Sequence, residues 1–275
     1  MSDEFSVLRP GLFVGRTAIV TGGGRGIGKV IALRFGELGA NVVLAGRHSE
    51  TLDATRAEIE AAGGAALAQV TDIREVAQVE AMAAAALERF GRIDFLINNA
   101  GGQFPARPSA ISDRGWRSVI DLNLNGTWNV CSRVGPKMVA QGFGAIVNIV
   151  HVYSFERGAP PFVHSGAARA GVVNMTKTLA NYWARHGVTV NALAPGSVDT
   201  AGLREKEYAQ LENTETEREQ IALTPVHRLG EAGEVAEISA FLCSPAARYI
   251  NGATIVADGG QLLGNWPDVF DMELP

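Results

Sequence analysis

The chain has 275 residues, 47% of them apolar, enough to bury the core of one large α/β domain rather than two. Its net charge of −5 is spread over interspersed acids and bases, with no Lys/Arg block to suggest a nucleic-acid surface and no leader-like segment at Met1 to Val14. No apolar run reaches the roughly 18 residues of a membrane span, so the expected compartment is the cytoplasm. Cys131 and Cys243 lie far apart with no Cys or His neighbour at metal spacing, which reads as two buried reduced thiols and no metal site.

Short β-rich runs alternate with longer helical patterns along the whole chain. Thr17–Thr21 reads as a strand and Gly26–Leu38 as the helix behind it. Asn41–Ala45 and Ser49–Ala62 follow, then Ala66–Val70 and Glu75–Phe90, then Asp94–Asn98 and a long helix over Asp113–Ala140. Ala145–Val150, Ser165–His186, Val188–Leu193, Glu231–Cys243 and Ala253–Ala257 complete the alternation. A helical segment near 200–223, rich in Glu, is inserted before the last pair, where it would cover a site. Strand-helix-strand repetition implies right-handed crossovers, hence a single Rossmann-type doubly wound domain over 1–275. Its parallel sheet would have about seven strands, with helices on both faces and a ligand site beyond the strands' carboxyl ends.

The first strand runs into Thr21-Gly22-Gly23-Gly24-Arg25-Gly26-Ile27-Gly28. Its glycines permit a tight strand-to-helix turn and close approach of a pyrophosphate to a helix N-terminus. Gly22, Gly24, Arg25, Gly26, Ile27 and Gly28 are therefore candidate cofactor residues. At the end of the second strand, where a carboxylate would select NAD, stands Gly46, followed by Arg47 and His48. Arg47, helped by Arg25, suits a 2′-phosphate, so the reading is NADP(H).

The glycine spacing, Asn98-Asn99-Ala100-Gly101, Asn123-Leu124-Asn125-Gly126 and Pro195-Gly196-Ser197-Val198-Asp199-Thr200 together resemble the short-chain dehydrogenase/reductase family over nearly the whole chain. The resemblance implies that Asn99, Ala100 and Gly101 line the cofactor and that Asp72 and Ile73 meet its adenine. Pro195, Gly196, Val198 and Thr200 would meet its nicotinamide end. It also implies a homotetramer paired through the helices Asp113–Ala140 and Ser165–His186.

The chain departs from that family at the chemistry. No Tyr-x-x-x-Lys occurs; His151, Ser165 and Arg169 stand where Ser, Tyr and Lys are usual. Arginine does not release its proton at ordinary pH, so a Tyr/Lys relay is hard to build. Two branches of the family resemble this pattern. His164-Ser165-Gly166-Ala167-Ala168-Arg169 and Gly101-Gly102-Gln103-Phe104 resemble peroxisomal trans-2-enoyl-CoA reductases. Tyr153 resembles the catalytic tyrosine of mitochondrial 2,4-dienoyl-CoA reductases, and the first likeness ranks above the second.

The resemblance implies NADPH-dependent reduction of the carbon-carbon double bond of a trans-2-enoyl thioester, an acyl-CoA being the expected substrate. Ser165 and Tyr153 would bind the thioester oxygen, Arg169 the nicotinamide ribose and Asn123 a structural water. His151 and His164 read as hydrogen-bonded wall residues. Arg107, Arg114 and Arg204 flank the expected mouth. The alternatives are a 3-oxoacyl or other carbonyl reductase with a rebuilt acid, and a non-catalytic cofactor-binding subunit. The tail from Gly264, with Trp266 and Phe270, is a possible cover for a neighbouring subunit's site.

Overall fold

The computed structural model describes residues 8–154, 156–204, 218, 221–222 and 224–264. Seven strands form one sheet in the order β3-β2-β1-β4-β5-β6-β7, every pairing parallel. The strands are β1 Thr17–Thr21, β2 Asn41–Gly46, β3 Ala65–Val70, β4 Phe95–Asn98, β5 Gly144–Ile149, β6 Val188–Pro195 and β7 Thr254–Ala257. The helices are α1 Gly26–Glu37, α2 Ser49–Ala61, α3 Val76–Phe90, α4 Asp113–Ile120, α5 Gly126–Gln141, α6 Val163–Trp183 and α7 Ala232–Cys243.

Alternation along the central strands decides the layers. Ala18, Val20, Val42, Leu44, Phe95 and Ile97 point to one face, where they pack with Ile31 and Phe35 of α1, Leu52 and Ile59 of α2, and Val235 and Ala240 of α7. Ile19, Val43 and Leu96 point to the other, against Val79 and Met82 of α3, Val130 and Val134 of α5, and Leu179 and Trp183 of α6. A parallel sheet so covered on both sides explains why the strands read as nearly continuous apolar runs. Chain order reverses between β1 and β4, which opens a crevice at their carboxyl ends.

The expected elements fall within three residues of the observed ones, apart from the helix expected over Asp113–Ala140; the largest end shift is that of Ser165–His186, whose α-helix ends at Trp183. Asp94 lies outside β4: fully buried, it accepts the Thr17 N–H at 3.0 Å and pairs with Arg16 and Arg92. The helix expected over Asp113–Ala140 is two helices joined by a wide π turn at Asp121–Asn125. That turn carries Asn123, and such turns often mark functional positions. Most of the expected insertion at 200–223 lies outside the described residues, as do Trp266 and Phe270. Among the described residues no helix is long and apolar enough to cross a membrane. Both cysteines are free and buried, and burial pushes the Cys131 thiol up to about 12.

Candidate active site

A cavity of about 520 Å³ opens over the carboxyl ends of the strands. It gathers Gly22, Gly24, Arg25, Gly26, Ile27, Arg47, Asp72, Ile73, Asn99, Ala100, Gly101, Pro195, Gly196, Val198 and Thr200 with Asn123, Tyr153, Ser165 and Arg169. The expected set other than Gly28 thus lines one space, although its members come from segments up to 178 residues apart in sequence (22 to 200).

Gly28 acts from beneath. A Cβ there would collide with the Gly22 carbonyl oxygen, so the residue lets α1 begin directly under the loop. The N-cap Arg25 supplies no side-chain cap and the first turn of α1 carries no acid. Its first amides are left for an anion at the positive end of the helix.

The loop is held from the β4 side. Thr21 Oγ1 accepts the N–H of Asn99 and of Ala100, each at 3.0 Å, while Asn99 Nδ2 donates to the Thr21 carbonyl. The carboxamide of Asn123 faces the loop that follows β4. Its Oδ1 accepts Gly102 N–H at 3.0 Å and its Nδ2 donates to the Gly102 carbonyl at 2.9 Å. The π turn is thereby clasped to the loop that follows β4, and Asn123 positions that loop. The Asp72 carboxylate, expected at the adenine, forms an ion pair with Arg74, while the backbone N–H of Asp72 donates to Gln78 Oε1. Arg74 first, and Arg47 more weakly, hold its carboxyl below the usual range.

Arg169, one turn of α6 beyond Ser165, is only 7% exposed. It has no carboxylate partner among the described residues, and its buried Nη1 makes no hydrogen bond. Burial pulls its pKa down to about 10, so the guanidinium remains charged at neutral pH. A buried cation with an unused donor, lining the same cavity as the uncapped N-terminus of α1, fits the ribose and phosphates of a nicotinamide dinucleotide.

His151 and Ser165 form a directed pair. His151 Nδ1 accepts the backbone N–H of Tyr153 at 3.1 Å, which leaves the ring proton on Nε2. Nε2 lies 3.2 Å from Ser165 Oγ, so the histidine donates and the serine oxygen accepts. The serine hydrogen is then free for another acceptor. Burial first, and the Arg169 charge second, lower the His151 pKa to about 4. The ring is therefore neutral at physiological pH and is not a titrating shuttle there. His164 is fully buried outside the cavity lining, its Nδ1 accepting Ser165 N–H and its ring edge-on to Phe104 at 4.5 Å.

Because the folded His151 pKa lies below its ordinary 6.5, the unfolded chain takes up that proton first. Stability from this group is complete above pH 6.5 and is lost as pH falls toward 4, by on the order of 3 kcal/mol. Urea midpoints measured through that interval should fall for wild type and flatten in His151→Gln. A parallel decline in both proteins would show that another group is responsible.

Two further features were not anticipated from sequence. Gln261, in the turn after β7, donates through Nε2 to Tyr153 Oη at 2.7 Å. Arg204, expected to flank the mouth, pairs with Asp199 at 2.7 Å.

Residues 22–261 match a family model described as Enoyl-(Acyl carrier protein) reductase. The chain belongs to the short-chain dehydrogenase/reductase family. It is 38% identical over 255 residues to a probable 2,4-dienoyl-CoA reductase of Bacillus subtilis, covering 92% of this chain and 98% of the relative. A 3-oxoacyl-[acyl-carrier-protein] reductase of Thermotoga maritima is 34% identical, over 90% of this chain and 98% of that one. Among solved structures, a short chain dehydrogenase from Bacillus anthracis superposes with TM-score 0.82 at 40% identity, covering 92% and 99% of the two chains. An actinorhodin polyketide ketoreductase with NADPH gives 0.84 at 35%, covering 90% and 97%. The family therefore makes this chain an oxidoreductase of nicotinamide-dinucleotide type. Of the two branches that the sequence resembles, the first relative bears a dienoyl name, not a trans-2-enoyl one.

Proposed function

We propose that this oxidoreductase reduces a carbon-carbon double bond conjugated to an acyl thioester, with a 2-enoyl-CoA as substrate and NADPH as reductant. The observation that carries the reading is that two cavity hydroxyls, Ser165 and Tyr153, each accept an N–H, while no lysine lines the cavity among the described residues. Carbonyl reduction needs a proton delivered to an alkoxide. Conjugate reduction places charge on the thioester oxygen as an enolate, which hydrogen-bond donors stabilise directly. The dinucleotide, when bound, supplies the hydride that reaches the β-carbon. Ser165 and Tyr153 donate to the thioester oxygen, Arg169 holds the ribose, and the α-carbon takes its proton from Tyr153 or from solvent. The dienoyl-CoA reductase relative supports this class; the 3-oxoacyl reductase relative keeps ketone reduction as the competing assay.

NADPH is favoured because the cavity wall at the end of β2 offers Gly46, Arg47 and His48, and the one carboxylate among the described lining residues, Asp72, is already paired with Arg74. Exposed aromatics on the helical face, Trp128 of α5 and Tyr182 of α6, support self-association through those helices. The test is oxidation of NADPH and NADH with trans-2-enoyl-CoA, 2,4-dienoyl-CoA and 3-oxoacyl-CoA esters. Turnover of an unsaturated ester with NADPH is expected; turnover of the 3-oxo ester alone would overturn the proposal. In Gly46→Asp the new Cβ comes 3.2 Å from Cδ2 of the buried Leu52, which must shift by a few tenths of an ångström to receive it. The preference should then shift toward NADH by about tenfold or more, since a carboxylate repels the 2′-phosphate.

A further inference from the structure

Gln261 is 7% exposed and lies behind Tyr153 and Ser197 of the cavity lining, in the Asp258-Gly259-Gly260-Gln261 turn that follows β7. The turn is fixed by Asp258, whose carboxylate accepts the N–H of Gly260 and of Leu262, both at 2.8 Å. The Gln261 side chain has one possible orientation. Its Oε1 faces the Ser197 N–H at 2.9 Å, and only an oxygen can accept there. Nε2 is therefore turned to Tyr153 Oη at 2.7 Å and to Ser197 Oγ at 3.3 Å, as donor to both. Gly196 permits the approach, since an added Cβ would stand 2.5 Å from Gln261 Oε1.

We infer that Gln261 is a positioning residue that sets Tyr153 as a hydrogen-bond donor toward substrate. The backbone amide of Ser197 dictates which end of the carboxamide faces Tyr153. With Nε2–H directed at Oη, the phenol oxygen accepts, and its own hydrogen points away from Gln261 into the cavity that Tyr153 lines. The arrangement mirrors His151, whose proton is placed by the Tyr153 N–H and which caps the Ser165 oxygen. Each hydroxyl is thus preset as a donor by a group that is itself set by a backbone amide, an ordering that requires no rearrangement as charge develops on the substrate. The kinetic consequence rests on the proposed double-bond reduction; the hydrogen-bond direction does not.

Gln261→Glu tests the inference because it keeps shape and inverts polarity. One carboxylate oxygen still accepts the Ser197 N–H, and the other takes the Tyr153 hydrogen and turns it from the cavity. With trans-2-enoyl-CoA and NADPH, kcat should fall on the order of 100-fold, with little change in the KM for NADPH. Gln261→Met, which removes donor and acceptor alike, should lose about tenfold by freeing the phenol to rotate. On a Tyr153→Phe background the Gln261→Glu change should add less than about twofold. Equal losses in the two variants, or a full loss repeated on that background, would overturn the inference and leave Gln261 a packing residue.

A second arm uses no turnover. The tyrosine Fermi-doublet intensity ratio in ultraviolet resonance Raman reports whether a phenol accepts or donates. The difference spectrum against Tyr153→Phe should show an accepting phenol in wild type and a donating one in Gln261→Glu, with a weakened accepting signature in Gln261→Met. A donating phenol in wild type would overturn the inference. The expected Raman change without turnover of any thioester would uphold Gln261's role and reject the proposed reaction.

Discussion

Replacing Ser165 by alanine is expected to lower kcat on a 2-enoyl-CoA by about 100- to 1000-fold while NADPH binding stays within about twofold. Ser165 lies at the N-terminal end of α6, 1% exposed, its oxygen already receiving the His151 Nε2–H. Its hydrogen is the group available to an enolate oxygen, and a methyl cannot replace it. Alanine also leaves the His151 N–H without its acceptor, although the ring stays tethered through Nδ1 to Tyr153 N–H. The loss should fall mainly on turnover, with about 1–3 kcal/mol of stability lost to the unpaired His151 N–H. Steady-state kinetics beside a fluorescence titration of NADPH separates the two, and an unchanged kcat would remove Ser165 from the site's chemistry.

The second large effect runs in opposite directions for binding and stability. Arg169→Met should weaken NADPH binding by about 10- to 100-fold, since charge-assisted hydrogen bonds contribute about 1.5–3 kcal/mol. The same change should stabilise the cofactor-free protein by about 1–4 kcal/mol. A charged guanidinium, buried with a vacant Nη1 and with its pKa drawn down to about 10, is a burden on the free protein that bound cofactor relieves. Methionine fills a similar volume without charge. Denaturation midpoints with and without NADPH measure both halves. A destabilised apo variant with undiminished affinity would mean that Arg169 serves the fold and not the cofactor.

The parts of this molecule that were legible in its sequence are those carried by short-range pattern. Ala18, Ile19 and Val20 alternate between the two cores, and equivalent triplets in β2 and β4 do likewise, so the central strands could be placed within a residue or two. The glycine loop could be read because it joins a strand to a helix over a few positions. What escaped depends on partners distant in the chain. The π turn at Asn123 is specified by a clasp on Gly102, 21 residues earlier, and nothing in the local apolar spacing of Asp113–Ala140 signals it. Gln261 meets Tyr153 across 108 residues. The only local hint was a polar residue directly after the Asp-Gly-Gly turn of β7, at the strand end where ligand sites lie. His151 was visible as a residue standing where the family usually carries serine. Its role as donor follows from a ring nitrogen facing the N–H of Tyr153, a geometry that sequence does not encode in any readable spacing.

The proposed conjugate reduction is tested most directly by following the transferred hydrogen. Purified protein supplied with NADPH deuterated at the transferable position and a trans-2-enoyl-CoA should give a saturated acyl-CoA carrying one deuterium at the β-carbon and a solvent-exchangeable origin for the new α-hydrogen. Deuterium found only on the carbinol carbon of a 3-hydroxyacyl product, formed from 3-oxoacyl-CoA while the enoyl ester is returned unchanged, would contradict the account.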